Sequence, residues 1–213
     1  MKLIRFPVEP FYENTIVLLP DDKKHGSVVV DPGGDGDLLM DVLQGNNTFA
    51  QKIILTHAHI DHVSALTVLK KAFPDTIIMM HPDDKELYTH MGLQSRLFAQ
   101  PMPQVPPIDR FIRDGDILKH NGMTIKVIHT PGHSKGSICL FIPDEADLLL
   151  SGDTLFREGV GRTDLLGGSH EDLIKSIREK LMVLDDNTLV IPGHGGDTTI
   201  GHERRLNPFL QEN

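Results

Sequence analysis

Residues 56–62 read Thr-His-Ala-His-Ile-Asp-His, three imidazoles and a carboxylate packed into one short stretch. Neutral imidazole and carboxylate are the donors that borderline divalent metals such as zinc prefer. Crowding them without a cation costs stability, because the groups repel one another or must be stripped of water. Three further candidates stand downstream: His133 in Thr-Pro-Gly-His, Asp153 in Ser-Gly-Asp-Thr, and His194 in Pro-Gly-His-Gly. Together His57, His59, Asp61, His62, His133, Asp153 and His194 are more donors than one zinc takes, and they suit two. A structural zinc site is closed and rich in thiolates. This set has no cysteine, so catalysis with open coordination positions is the expectation. Two cations about 3.5–4 Å apart can share a hydroxide formed near neutral pH, which attacks a carbonyl or phosphoryl group. Asp153, alone on its loop, is the natural bridge, and Asp61 and Asp153 are the carboxylates expected to act in catalysis.

Short runs rich in Ile, Val and Leu predict strands at 15–19, 27–31, 52–55, 76–80, 124–128, 137–142, 147–150 and 188–191. Helical patterns alternate with them. Leu38, Leu39, Val42 and Leu43 form one apolar stripe, with Gly45 expected at its C-terminal cap. Ala65, Val68, Leu69 and Ala72 predict a helix begun just after His62. Ser169 and Asp172 resemble a capping pair, and Pro82, Asp83, Asp84 and Glu86 read as a first helical turn whose charges suit the dipole. Each candidate ligand group follows a predicted strand: His57 after Leu55, His133 after Ile128, Asp153 after Leu150, His194 after Ile191. In open α/β sheets the crevice beyond the carboxyl ends of the strands is where ligands bind. Gly132, Gly152 and Gly193 are expected to supply the turn that aims the next side chain inward. Segment 91–115, broken by prolines 101, 103, 106 and 107, predicts an irregular connection, either a lid over the site or a surface link.

The chain has 213 residues and a net charge of −9, with a composition ordinary for a globular protein. One domain over 1–213 is expected. The acidic balance argues against a nucleic-acid partner, and no apolar run approaches the roughly 20 residues of a membrane span. A single cysteine, Cys139, rules out an internal disulfide and fits a reducing compartment, so a cytoplasmic location is the expectation.

The series His57-x-His59-x-Asp61-His62, His133, Asp153, His194 resembles the metal-ligand signature of the metallo-β-lactamase superfamily. The resemblance implies an α/β fold, an αββα sandwich with the site at the sheet edge. It further implies that His57, His59 and His133 hold a first metal, that Asp61, His62 and His194 hold a second, and that Asp153 bridges. Thr130-Pro131-Gly132-His133-Ser134, Ser151-Gly152-Asp153-Thr154-Leu155-Phe156 and Gly161-Arg162-Thr163-Asp164 are similar to the short glyoxalase II-like hydrolases. That group implies a small-molecule thioester substrate, glutathione-linked as in S-lactoylglutathione, and two divalent ions, zinc first and iron as the alternative. Full-length glyoxalase II adds a C-terminal helical domain that grips glutathione, and residues 195–213 are too few to supply it. The persulfide dioxygenases share the series but use one iron, held by the equivalents of His57, His133 and Asp153. A phosphodiester or nucleic-acid hydrolase of the same fold is the remaining reading, and the acidic balance disfavours it.

Other residues divide between two roles. Thr56 and Ser134 can brace ligands or satisfy turn backbone. Arg162 can meet a substrate carboxylate or pair internally with Asp164. His129 is a strand-end histidine expected to be structural, and His25, His81, His90, His120, His170 and His202 show no ligand spacing. Cys139 sits in an apolar run and is expected to be a buried, inert thiol.

Overall fold

The computed structural model describes residues 1–21, 25–144 and 146–211. Two six-stranded sheets form its centre. The first runs in chain order: β1 (Lys2–Val8), β2 (Glu13–Leu19), β3 (Ser27–Val30), β4 (Ala50–Ile54), β5 (Ile77–Met80) and β6 (Arg110–Phe111). Its first three strands pair antiparallel and the rest parallel. The second sheet contains β7 (Ile117–His120), β8 (Met123–His129), β9 (Ile138–Ile142) and β10 (Leu148–Gly152), and a small separate hairpin, β11 (Leu155–Phe156) and β12 (Gly159–Val160), follows it in the chain. The second sheet is completed by β13 (Leu189–Pro192) and β14 (Thr198–Thr199), in the order β14-β13-β10-β9-β8-β7.

Period-2 alternation divides each central strand between two cores. Ile16, Leu18, Val28, Val30 and Ile54 of the first sheet meet Ile125, Val127, Leu140 and Leu150 of the second. Their neighbours Val17, Val29 and Ile53 face the other way, onto α1 (Gly36–Gly45), α2 (Ile60–Val63), α3 (Leu66–Ala72), α4 (Lys85–Thr89) and α5 (Met91–Leu97). On the far side, Cys139, Leu149 and Val190 pack against α6 (His170–Ser176), the π-helical turn Ile177–Leu181 that continues it, and α7 (Ile200–Leu206). A short α8 (Pro208–Gln211) follows. The layers are therefore α, β, β, α. Strands covered on both faces read as unbroken apolar runs, which is why the sequence reveals them.

All eight predicted strands form, within two or three residues at their ends. β1 was not predicted, because most of it is only half buried and its apolar pattern is weak. Three local expectations need correction. Gly45 lies inside α1; Asn46 caps the helix and Asn47 takes the left-handed turn at φ 52°. The helix expected after His62 is two helices, broken at Ser64 and Ala65, where the Ala65 amide leaves the helix to donate to the Pro32 carbonyl. Segment 91–115 is not wholly irregular, since α5 occupies its start and β6 lies near its end. Ser169 does cap α6, its hydroxyl accepting from the Asp172 amide.

Candidate metal centre

The four loops that carry the candidate ligands leave the carboxyl ends of β4, β8, β10 and β13 and meet at one edge of the sandwich. Backbone bonds tie the two sheets together there. The Asn14 amide donates to the Gly193 carbonyl (2.7 Å), and the Ile138 amide to the Thr56 carbonyl (2.8 Å). Gly132 turns the β8 loop at φ 140°, in a place where a Cβ would run into the backbone of Leu173. Gly193 plays a different part from the one expected. Its φ is not positive; it is small because a Cβ would overlap Asp153 Oδ1 and press on the His62 ring.

The structure brings all seven candidate residues together. His133 Nε2 lies 2.8 Å from His59 Nδ1 and 3.1 Å from His57 Nε2. Asp61 Oδ2 lies 3.2 Å from His194 Nε2 and 3.8 Å from His62 Nε2. Asp153 stands between these trios, with Oδ1 3.5 Å from His62 Nε2 and Oδ2 3.6 Å from both His133 Nε2 and His194 Nε2. Donors about 2.1 Å from a shared tetrahedral ion sit about 3.4 Å apart, and the spacings within the two trios, from 2.8 to 3.8 Å, fall on either side of that value.

Hydrogen-bond partners assign the ring nitrogens. Asp31 Oδ2 accepts from the Thr56 hydroxyl (2.6 Å) and from His62 Nδ1 (3.0 Å). With its proton so placed, the Thr56 oxygen accepts from His57 Nδ1 at 3.1 Å. His133 Nδ1 donates to the Arg162 carbonyl and His194 Nδ1 to the Phe11 carbonyl. Four rings therefore present Nε2 to the centre, their Nδ1 atoms held by partners of the kind that fix metal-bound histidines. His62 Nε2 and Asp153 Oδ1 are buried and have no hydrogen-bond partner. Buried polar atoms are rarely left so; a divalent cation between them would satisfy both. His59 is the exception among the rings, its outer Nε2 being buried and unpartnered.

The charges agree with this reading. Burial, reinforced by the neighbouring imidazoles, pushes His57 and His59 well below the ordinary histidine range, so both are neutral, the form a metal takes. Burial opposes protonation of His62 too, yet Asp61, Asp153 and Asp31 outweigh it and raise its pKa. Burial would raise Asp61, but His62 and His194 hold its carboxyl well below the usual carboxylate range. The carboxylates draw positive charge into the centre.

Several functional residues have no signal in ligand spacing. Asp84, read as a helix-dipole charge, instead turns inward. It accepts from the Ala58 amide (2.9 Å), the Ser134 hydroxyl (2.8 Å) and the Gly136 amide (2.6 Å), joining the first ligand loop to the His133 loop. Gln94 of α5 braces the same turn, accepting from the Ile60 amide and donating to the Ala58 carbonyl. Asp31 did carry a signal, since it too ends a strand at this edge. A cavity of about 480 Å³ opens over the centre, walled by Phe11, Phe98, Phe156, Val160 and Leu165. Segment 91–115 thus contributes a brace and one wall. Arg162 borders the cavity, but its guanidinium is engaged by Asp164 through two bonds of 2.8 and 2.7 Å.

A second histidine group, His81, Asp83 and His129, is not a comparable centre. The His81 and His129 rings stack at 3.9 Å and 12°, so their in-plane lone pairs run side by side and do not converge. His129 Nε2 bonds the Lys135 carbonyl, a structural role. Cys139 is fully buried and its thiol is pushed up to about 11 by burial, which leaves it inert at neutral pH.

An αββα sandwich with imidazoles and carboxylates gathered at its strand ends is suited to holding metal ions for catalysis. The chain belongs to the metallo-β-lactamase superfamily, whose family profile matches residues 8–194. It is 38% identical to hydroxyacylglutathione hydrolase GloC of Haemophilus influenzae, over 99% of this chain and 98% of that protein. It is 37% identical to a probable metallo-hydrolase of Bacillus subtilis, again over 99% and 98%. Among solved structures, the BLEG-1 B3 metallo-beta-lactamase superposes with a TM-score of 0.91 at 37% identity, covering 99% of this chain and all of that one. TTHA1623, solved in a di-iron-bound form, gives 0.88 at 36% identity, covering 97% and 100%. Among the described residues no helix is long and apolar enough to cross a membrane.

Proposed function

We propose that this protein hydrolyses a small-molecule thioester at a dinuclear metal centre. His57, His59 and His133 would hold one ion, Asp61, His62 and His194 would hold the other, and Asp153 would serve both. Zinc is the first assignment on the donor set, with iron the alternative, as in the di-iron relative. When bound, such a pair lowers the pKa of a water and polarises the carbonyl oxygen.

The leaving group carries the choice of thioester. Apart from the ligands, the described residues lining the cavity are apolar except for Arg162, whose guanidinium does not give up its proton at neutral pH. Asp61, held ionised by His62 and His194, would serve as a metal ligand and is not a resident acid. An amine must be protonated to depart, whereas a thiol ionises at about 8.5 and leaves as the thiolate without help. The hydroxyacylglutathione hydrolase among the relatives supports the same class, S-lactoylglutathione being the first substrate to assay. We place the protein in the cytoplasm, acting on small molecules and not on nucleic acid or membrane.

His57, His133 and Asp153 also form a two-histidine, one-carboxylate set of the kind that holds a single iron for oxygen chemistry, so glutathione persulfide oxidation is the rival. Metal analysis of chelator-free protein, with assays on S-lactoylglutathione, glutathione persulfide and a chromogenic β-lactam, separates the readings. Two metals per chain with thioester cleavage independent of oxygen is the expected result. One iron per chain with oxygen uptake on persulfide would overturn it.

A further inference from the structure

We infer that the cavity over the centre is an acyl pocket selecting thioesters with an apolar acyl chain, and that it does not grip the thiol carrier by charge. The inference rests on the thioester reading and adds the substrate class. Phe11, Phe156 and Leu165 belong to none of the three apolar cores, and each is half buried with apolar surface open to the cavity. Folding makes no use of that surface, and rings left half wet around a polar centre are stabilised when an apolar ligand covers them. Phe11 and Phe98 stand edge to face at 5.9 Å, making a continuous wall from the β1–β2 connection to the end of α5. Phe156 approaches the His194 ring edge-on, placing the opposite wall directly beside the ligands.

The charges around the cavity point the same way. Glutathione and similar carriers are polar and charged, and a site that reads them needs free cationic groups. Arg162 is the one lysine or arginine among the described residues lining this cavity, and Asp164 already takes the Nε–Nη2 edge of its guanidinium in a two-bond pair that offsets its charge. The apolar walls therefore suit the part of a thioester that varies in hydrophobicity, the acyl chain. The carrier projects to solvent.

Two measurements on the metal-loaded protein test this. In the first, kcat/KM is compared for acetyl, butanoyl and hexanoyl thioesters of N-acetylcysteamine, an uncharged carrier, and for S-lactoylglutathione. A rise of about tenfold or more from acetyl to hexanoyl is expected, with hexanoyl above S-lactoylglutathione. Phe156→Ala and Leu165→Ala should flatten that series. In the second, calorimetry compares S-hexyl and S-ethyl thioethers of the same carrier, which carry CH2 where the substrates carry the carbonyl. Tighter binding of S-hexyl by about tenfold is expected. Thioester cleavage with no dependence on chain length, or a preference for S-lactoylglutathione, overturns the acyl pocket and leaves the thioester reading standing. Chain-length-dependent thioether binding without cleavage of any thioester does the reverse.

Discussion

Replacing Asp84 by Asn tests whether the metal centre depends on a residue that touches no ligand side chain. Asp84 Oδ2 accepts from the Ala58 amide and the Ser134 hydroxyl, and Oδ1 accepts from the Gly136 amide. An asparagine keeps one acceptor and presents an NH2 in place of the other. With its oxygen at the Oδ2 position, the Gly136 N–H faces the NH2. With the amide flipped, the Ser134 oxygen can accept, but the Ala58 N–H is orphaned. Either way one buried amide loses its acceptor, which costs about 1–3 kcal/mol, and the surviving bonds lose the strength a charged acceptor gives them. Ala58 lies between His57 and His59, and Ser134 follows His133, so the loosened loops are those of the first trio. Losing partners that orient ligands in this way lowers metal affinity about 10–100-fold. Urea denaturation of the chelator-treated protein reads the stability loss, and competition with a chromophoric chelator reads affinity separately. Metal affinity within about twofold of wild type would refute the argument, whatever happens to stability.

Three other perturbations have definite outcomes. Asp153→Ala removes the one carboxylate among the described residues that stands between both trios, and elemental analysis should find metal content well below wild type with thioester turnover lost; unchanged turnover would remove Asp153 from the bridge. Gly193→Ala drives a methyl into Asp153 and His62, so activity and metal content should fall more steeply than thermal stability, and a variant with full metal content would show that the loop yields. Burial, with His129 stacked upon it, lowers the His81 pKa to about 4. An unfolded histidine titrates near 6.5, so the unfolded chain takes up the proton first as pH falls. Stability should be undiminished above about pH 6.5 and decline as pH falls from there toward 4, by about 1–2 kcal/mol at pH 5 once partial solvent screening is allowed for. His81→Gln should lack this component, and equal losses between pH 7.5 and 5 in both proteins would refute it.

Much of the architecture was legible because its signals are local. The strands are short runs covered on both faces, so Val28, Val29 and Val30 announce β3 without reference to anything distant. The edge elements were not: β7 alternates between exposed and buried residues over only four positions, and β6 has two. The helix after β4 was legible in period but not in continuity. Its break at Ser64 and Ala65 is set by the Pro32 carbonyl, a partner remote in sequence.

The same division runs through the site. The sequence by itself determined which candidate donors gather, because His57 to His62 are neighbours in the chain and each later candidate follows a strand whose apolar run marks where it ends. Only the tertiary structure decided what holds those donors and what stands over them. Asp31 reaches His62 across 31 positions and Asp84 reaches Ser134 across 50, with no fixed spacing for a motif to record. Phe11, Phe98 and Phe156 come from the β1–β2 connection, the end of α5 and β11, and become one cavity only when the sheets close upon each other. Coordination chemistry is written in residue type and strand position; bracing and substrate shape are properties of surfaces that do not exist until the chain has folded.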